Sequence, residues 1–224
     1  MANFPFEIVG FDLDGTLLDT SQDIGLALNH ALRSAGRSEV PLDQVSGLIG
    51  GGARMLLDRA LAATGGAEGA DPAAIHRDLL AYYTENIAVH SRLFPGGAEM
   101  LDALAGHGVK LALVTNKLEA LARQLLGELG LAHRFALILG GDSLGSGRAK
   151  PAPDLLLAMV ARLGGGRAAY VGDTTFDTRA ARSAGLPCVG VAFGFADVPL
   201  GDLGASAMID HYDQLVPTLI ALGH

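Results

Sequence analysis

Asp12 and Asp14 stand on alternate positions at the end of an apolar run, Phe6 to Phe11, broken by Glu7, and Gly15 and Thr16 follow directly. At ~4 Å and an effective dielectric near 20, two carboxylates repel by about 4 kcal/mol, which is roughly three powers of ten in proton affinity. Such a pair binds a cation, shares a proton, or is splayed apart. A cation near Asp12 with Asp14 partly protonated suits a nucleophile beside a general acid. The plainer alternative is a strand-end turn in which Asp14 caps backbone amides and Asp12 is solvated.

Further polar groups recur in the same kind of place. Thr115 and Asn116 end the apolar run that starts at Lys110, and Asp173 ends the run from Ala168. If a helix starts at Thr174, Asp177 lies one turn beyond Asp173, ~6 Å along the axis and on the same face. Asp173 can then ligate a metal directly, with Asp177 in an outer role; an acid in a first turn also suits the helix dipole. Lys150 precedes Pro151, which keeps it out of a helix interior and lets it meet Asp12 and a phosphoryl group together. Carboxylates and backbone oxygens without a histidine cluster select a hard cation, Mg²⁺ before Zn²⁺. The seven histidines (30, 76, 90, 107, 133, 211 and 224) have no ligand spacing and take ordinary surface or half-buried roles. Asp12, Asp173 and Asp177 carry −3, which Mg²⁺ and Lys150 balance if Asp14 is protonated.

These groups need a scaffold that brings strand ends together. From Leu93 onward helices and strands alternate: helix 97–106, strand 110–114, helix 118–129, strand 136–139, helix 153–163, strand 168–171, a helix to 184, strand 188–193, a short run at 207–209 and a last helix 213–222. Alternation of this kind predicts βαβ units, so the fold class is α/β, a doubly wound and mostly parallel sheet with a Rossmann-like core. The carboxyl ends of its strands then share one edge, where ligands bind. Residues 17–92 differ. Ile24, Leu28, Ala31, Leu32 and Ala35 share one helical face, Met55 to Ala63 form another helical run, and Asp71-Pro72 opens a helix expected to reach about His90. No convincing strand occurs there. The expected organisation is a catalytic core of 1–16 and 93–224 with a small helical cap, 17–92, inserted after the first strand.

Composition narrows the partners. The 224 residues carry a formal charge of −8, without a basic run. Sequence-nonspecific nucleic-acid binding and attraction to anionic membrane are therefore disfavoured, because both need clustered Lys and Arg. The single cysteine, Cys188, allows no intrachain disulfide and reads as a buried thiol. There is no signal-type N-terminus and no uninterrupted run of 18 apolar residues, so a cytoplasmic protein, monomer or homodimer, is expected.

Four stretches together, FDLDGT, LALVTN, AKPAPD and VGDTTFD, resemble the motifs of the haloacid dehalogenase superfamily of phosphotransferases, in order and across essentially the whole chain. The resemblance implies that Asp12 is a nucleophile forming an aspartyl-phosphate and that Asp14 protonates the leaving oxygen, then activates water. It implies that Thr115 and Asn116 hold phosphate oxygens and that Lys150 steadies Asp12 and the phosphoryl group. Mg²⁺ would bind Asp12, the Asp14 carbonyl and Asp173, with Asp177 in support. Dehalogenases of the superfamily lack the second aspartate, so Asp14 argues for phosphoryl chemistry.

The insert is similar to the helical cap of the phosphoglycolate phosphatase-like branch, through LIGGGARMLLDRAL (48–61), LFPGG (93–97) and VTNK (114–117). Arg54 is the candidate for reading a substrate carboxylate, since arginine offers a planar fork of donors. Lys117, at a helix start where the dipole disfavours a cation, is a second substrate-facing candidate. The implied activity is Mg²⁺-dependent phosphomonoester hydrolysis of a small phosphorylated metabolite, 2-phosphoglycolate first. The alternatives are a mutase resembling β-phosphoglucomutase, a pyrophosphatase, a sugar- or nucleotide-phosphatase, and a catalytically silent binding module. Cap movement is expected about hinges at 17–19 and 92–96.

Overall fold

The computed structural model describes residues 4–223; His224, one of the scattered histidines, lies outside them. Six strands form one sheet in the order β5-β4-β1-β6-β7-β8: β1 (Ile8–Phe11), β4 (Lys110–Val114), β5 (Leu137–Leu139), β6 (Ala168–Gly172), β7 (Cys188–Val191) and β8 (Ala207–Ile209). Every pairing in it is parallel. The chain builds outward from β1 through β4 to β5, then crosses to β6 on the other side of β1 and continues outward. The winding thus reverses beside β1, which puts its carboxyl end at a topological switch point. β1, covered on both faces, is wholly buried, as its unbroken apolar run requires.

The helices α5 (Gly97–Gly106), α6 (Glu119–Glu128), α7 (Asp154–Arg162), α8 (Thr175–Ser183) and α9 (Leu215–Leu222) connect or follow the strands. Two apolar clusters lie against the sheet, one through Val9, Phe11, Leu113 and Val171 and the other through Ile8, Ala112, Tyr170 and Cys188. Those residues alternate along each strand, so the two clusters are the two faces of one sheet. Cys188 is buried, and burial pushes its thiol pKa up.

Between β1 and α5 lie α1 (Ser21–Ser34), α2 (Leu42–Val45), α3 (Gly52–Ala63) and α4 (Pro72–Glu85). Asp71 caps α4, accepting from the amides of Ala73 and Ala74. Two expectations are corrected here. α4 ends at Glu85, not near His90, because Asn86 leaves the helical conformation and the amides of His90 and Ser91 turn to the buried Asp23 carboxylate. The segment is also not strand-free: β2 (Leu18–Asp19) pairs antiparallel with β3 (Arg92–Leu93) at the two chain crossings. Two residues show no period, and only the long-range pairing makes them strands. No helix among the described residues is long and apolar enough to cross a membrane.

Candidate active site

The sheet's geometry aims five side chains at one edge. Asp12 is the first residue past β1, Thr115 the first past β4 and Asp173 the first past β6, while Lys150 arrives on the loop after β5 and Asp177 from the first turn of α8. One carboxylate oxygen from each of Asp12, Asp173 and Asp177 lies within 4.8 Å of the others, and all three residues are buried. Lys150, only 3% exposed, puts its Nζ 2.9 Å from Asp12 Oδ1 and 2.6 Å from Asp177 Oδ1. It also donates to the Tyr170 hydroxyl, which donates in turn to the Val114 carbonyl. Burial would lower the Lys150 pKa, but Asp12 and Asp177 outweigh it and the net shift is upward.

Asp177 serves two structures at once. Its Oδ1 receives Lys150, while Oδ2 takes the Thr174 amide and hydroxyl in a capping box that starts α8. Asp173 accepts from the Thr16 hydroxyl at 2.9 Å and the Phe195 amide at 2.6 Å. The chain passes Asp173 so closely at Gly15 that an added Cβ would sit 2.2 Å from its Oδ2, and Gly15 has φ +83°. Neither Phe195 nor Tyr170 was indicated by the sequence. A backbone amide carries no type signal, and Tyr170 reads as an ordinary strand residue.

The residues present fit a divalent cation. Asp12 Oδ1 is buried and, although near the Lys150 ammonium, has no aligned hydrogen-bond donor. Three buried carboxylates face one ammonium, so negative charge is left unmet. Burial first, and the neighbouring acids after it, push Asp12 up to about 6 against the opposing pull of Lys150, and push Asp173 well above the usual carboxylate range. An all-oxygen donor set of this kind suits a hard cation.

Asp14 has a lysine beside it that the sequence did not pair with it. Lys117 Nζ lies 2.9 Å from both of its oxygens, and the Thr20 hydroxyl donates to Oδ1 at 2.7 Å. Lys117, disfavoured beside a helix start, is held by this pairing and lies 4.7 Å from the ring centre of Tyr83. Asn116 braces the site: its Nδ2 donates to the carbonyls of Gly50 and Lys150, both at 3.0 Å, which leaves Oδ1 buried without a partner. The Gly50–Gly52 loop fits there because a Cβ at Gly52, φ +84°, would meet the Asn116 carbonyl at 3.1 Å.

Asp12, Asp14, Thr115, Asn116, Lys117 and Lys150 share one cavity of about 550 Å³ with residues of α1, α3 and α4. Arg54 lines it too, but its side chain is 61% exposed and its Nε lies 3.3 Å from Asp58. The structure therefore gathers the core residues expected from sequence and leaves Arg54 at the solvent margin.

A parallel sheet whose carboxyl edge unites three acids with their lysine defines an α/β enzyme with an acidic centre that fits a cation. The chain belongs to the haloacid dehalogenase-like hydrolase family, whose model matches residues 9–191. It is 40% identical over 213 residues to the phosphoglycolate phosphatase of Agrobacterium fabrum, covering 93% of this chain and 90% of that one. The phosphoglycolate phosphatase of Caulobacter vibrioides is 38% identical over 218 residues, covering 96% and 91%. A crystallised protein from Haemophilus somnus 129PT, described as a predicted phosphoglycolate phosphatase, superposes with a TM-score of 0.86 at 30% identity, covering 96% and 98%.

Proposed function

We propose that this hydrolase is a cytoplasmic, Mg²⁺-dependent phosphomonoesterase acting on 2-phosphoglycolate. It divides into a core of 1–16 and 93–224 and a selectivity-giving cap of 17–92. The observation that carries the reading is the convergence of Asp12, Asp173, Asp177 and Lys150 at one strand edge. Similarity to the phosphoglycolate phosphatases of Agrobacterium fabrum and Caulobacter vibrioides, at 40% and 38% identity, supports the substrate.

Asp12 attacks phosphorus, the bond from phosphorus to the ester oxygen breaks, and an aspartyl-phosphate forms on Asp12. Asp14 gives its proton to the leaving alkoxide, and glycolate departs. Asp14 then takes a proton from water, whose oxygen attacks phosphorus and releases phosphate from Asp12. Splitting one displacement in two is what makes a carboxylate nucleophile useful. Lys150 steadies Asp12 and the phosphoryl oxygens, Thr115 offers its hydroxyl to those oxygens, and Asn116 keeps the Gly50–Gly52 loop against the core. Asp12, the Asp14 carbonyl and Asp173 would hold Mg²⁺, with Asp177 positioning Lys150. When bound, the ion supplies positive charge to the phosphoryl oxygens.

A kcat/KM panel over small phosphoesters with Mg²⁺ tests the reading. The expected result is 2-phosphoglycolate ahead of sugar phosphates, nucleotides and pyrophosphate. Isomer interconversion that depends on a diphosphorylated sugar would identify a mutase instead. Failure to turn over any phosphoester would leave only a binding role.

A further inference from the structure

The helical side of the cavity contributes one polar atom without a partner. Tyr83, in α4, is 4% exposed and lines the cavity; its hydroxyl makes no aligned hydrogen bond, and the Lys117 ammonium beside it can only donate, so the O–H has no acceptor. A buried unpaired hydroxyl carries a desolvation cost that phenylalanine would avoid in the same space. Folding therefore gives no reason for it, and a ligand does. Beside its ring lies Lys117, whose ammonium has three donors and which Asp14 faces. Ile24, Leu79, Leu80 and Leu121 line the same cavity, and an apolar lining strengthens any charge pairing made within it. Burial pushes the Tyr83 hydroxyl up to about 12, so it is a donor at neutral pH. Arg54 offers no comparable enclosure, being mostly in solvent and beside Asp58.

We propose that Tyr83 Oη and Lys117 Nζ form the subsite for an anionic group at the non-reacting end of the substrate, a carboxylate on the carbon next to the ester oxygen. Tyr83, and not Arg54, then sets the preference for carboxylate-bearing phosphoesters. The assignment rests on the phosphomonoesterase reading above and deepens it.

Tyr83→Phe tests it in the Mg²⁺-loaded enzyme, with kcat/KM for 2-phosphoglycolate divided by kcat/KM for ethyl phosphate, which lacks the carboxylate. That ratio is expected to fall by about tenfold to a hundredfold, the worth of one hydrogen bond to a charged group. The melting temperature stays within a few degrees of the parent, because the removed O–H had no acceptor. An unchanged ratio overturns the proposal. Calorimetric binding of glycolate in the presence of inorganic phosphate supplies a second arm that needs no turnover. Weaker binding by Tyr83→Phe supports the subsite, and equal binding by both proteins rejects it. Absence of all phosphoester hydrolysis would instead count against the enzymatic reading, with the glycolate arm still deciding the subsite.

Discussion

The sheet side and the helical side of the site are built on opposite rules. On the sheet side, polar groups hold one another: Lys150 touches Asp12, Asp177 and Tyr170, and Asp173 is gripped by Thr16 and the Phe195 amide. On the helical side the wall is apolar, with Tyr83 as a lone buried hydroxyl and Arg54 facing solvent. The first wall is over-determined, so its geometry survives single changes nearby. The second is sparse, so one side chain there can redirect selectivity. A reaction fixed by one wall and a substrate chosen by the other is how a single fold comes to serve many phosphoesters.

The contrast can be broken most completely at Asp12. Asp12→Asn keeps the shape and removes the nucleophile, and kcat should drop on the order of 10⁴-fold or more, with circular dichroism unchanged. Next in size is removal of the cation. Dialysis against a chelator should lower kcat at least about a hundredfold, and titration with Mg²⁺ should restore it; full activity after chelation would break the reading of the acidic cluster.

Lys150→Met addresses stability as well as rate. It leaves Asp12 and Asp177 buried without their cation, at a cost of about 3–5 kcal/mol, read from urea unfolding of the metal-free protein. The bracing side chain is worth less. Asn116→Ala should cost about 1–3 kcal/mol, and amide exchange should quicken at Gly50–Gly52 while strands β1 and β4 stay protected. Equal protection of that loop would mean Asn116 does not hold the two walls together. The smallest effect belongs to Arg54→Ala, since exposed ion pairs contribute little. Stability should change by less than about 0.5 kcal/mol, and kcat/KM for 2-phosphoglycolate by less than about threefold. A large loss there would return carboxylate recognition to Arg54 and away from Tyr83.

Much of the sheet was legible because buried parallel strands are continuous apolar runs, and β1, β4 and β6 end where the sequence turns polar; β7 instead stops at Val191, short of the expected 193, although Ala192 and Phe193 are still apolar. Asp12, Thr115 and Asp173 were visible for that reason. The brief ribbon of Leu18–Asp19 with Arg92–Leu93 was not, since two residues give no period to read. Asp23 also escaped notice. It looks like an ordinary first-turn acid on α1, yet it gathers the amides of His90 and Ser91 and fixes where the chain re-enters the core.

The order of elements, the polar strand endings and the types of group available for phosphoryl chemistry were set by the sequence alone, because they depend on local periodicity and side-chain identity. Which ammonium meets which carboxylate was decided only by the tertiary structure. Lys117 reaches Asp14 across 103 positions and Asn116 reaches Gly50 across 66. Such pairings follow from distances between elements packed against each other, and no local pattern along the chain encodes those distances.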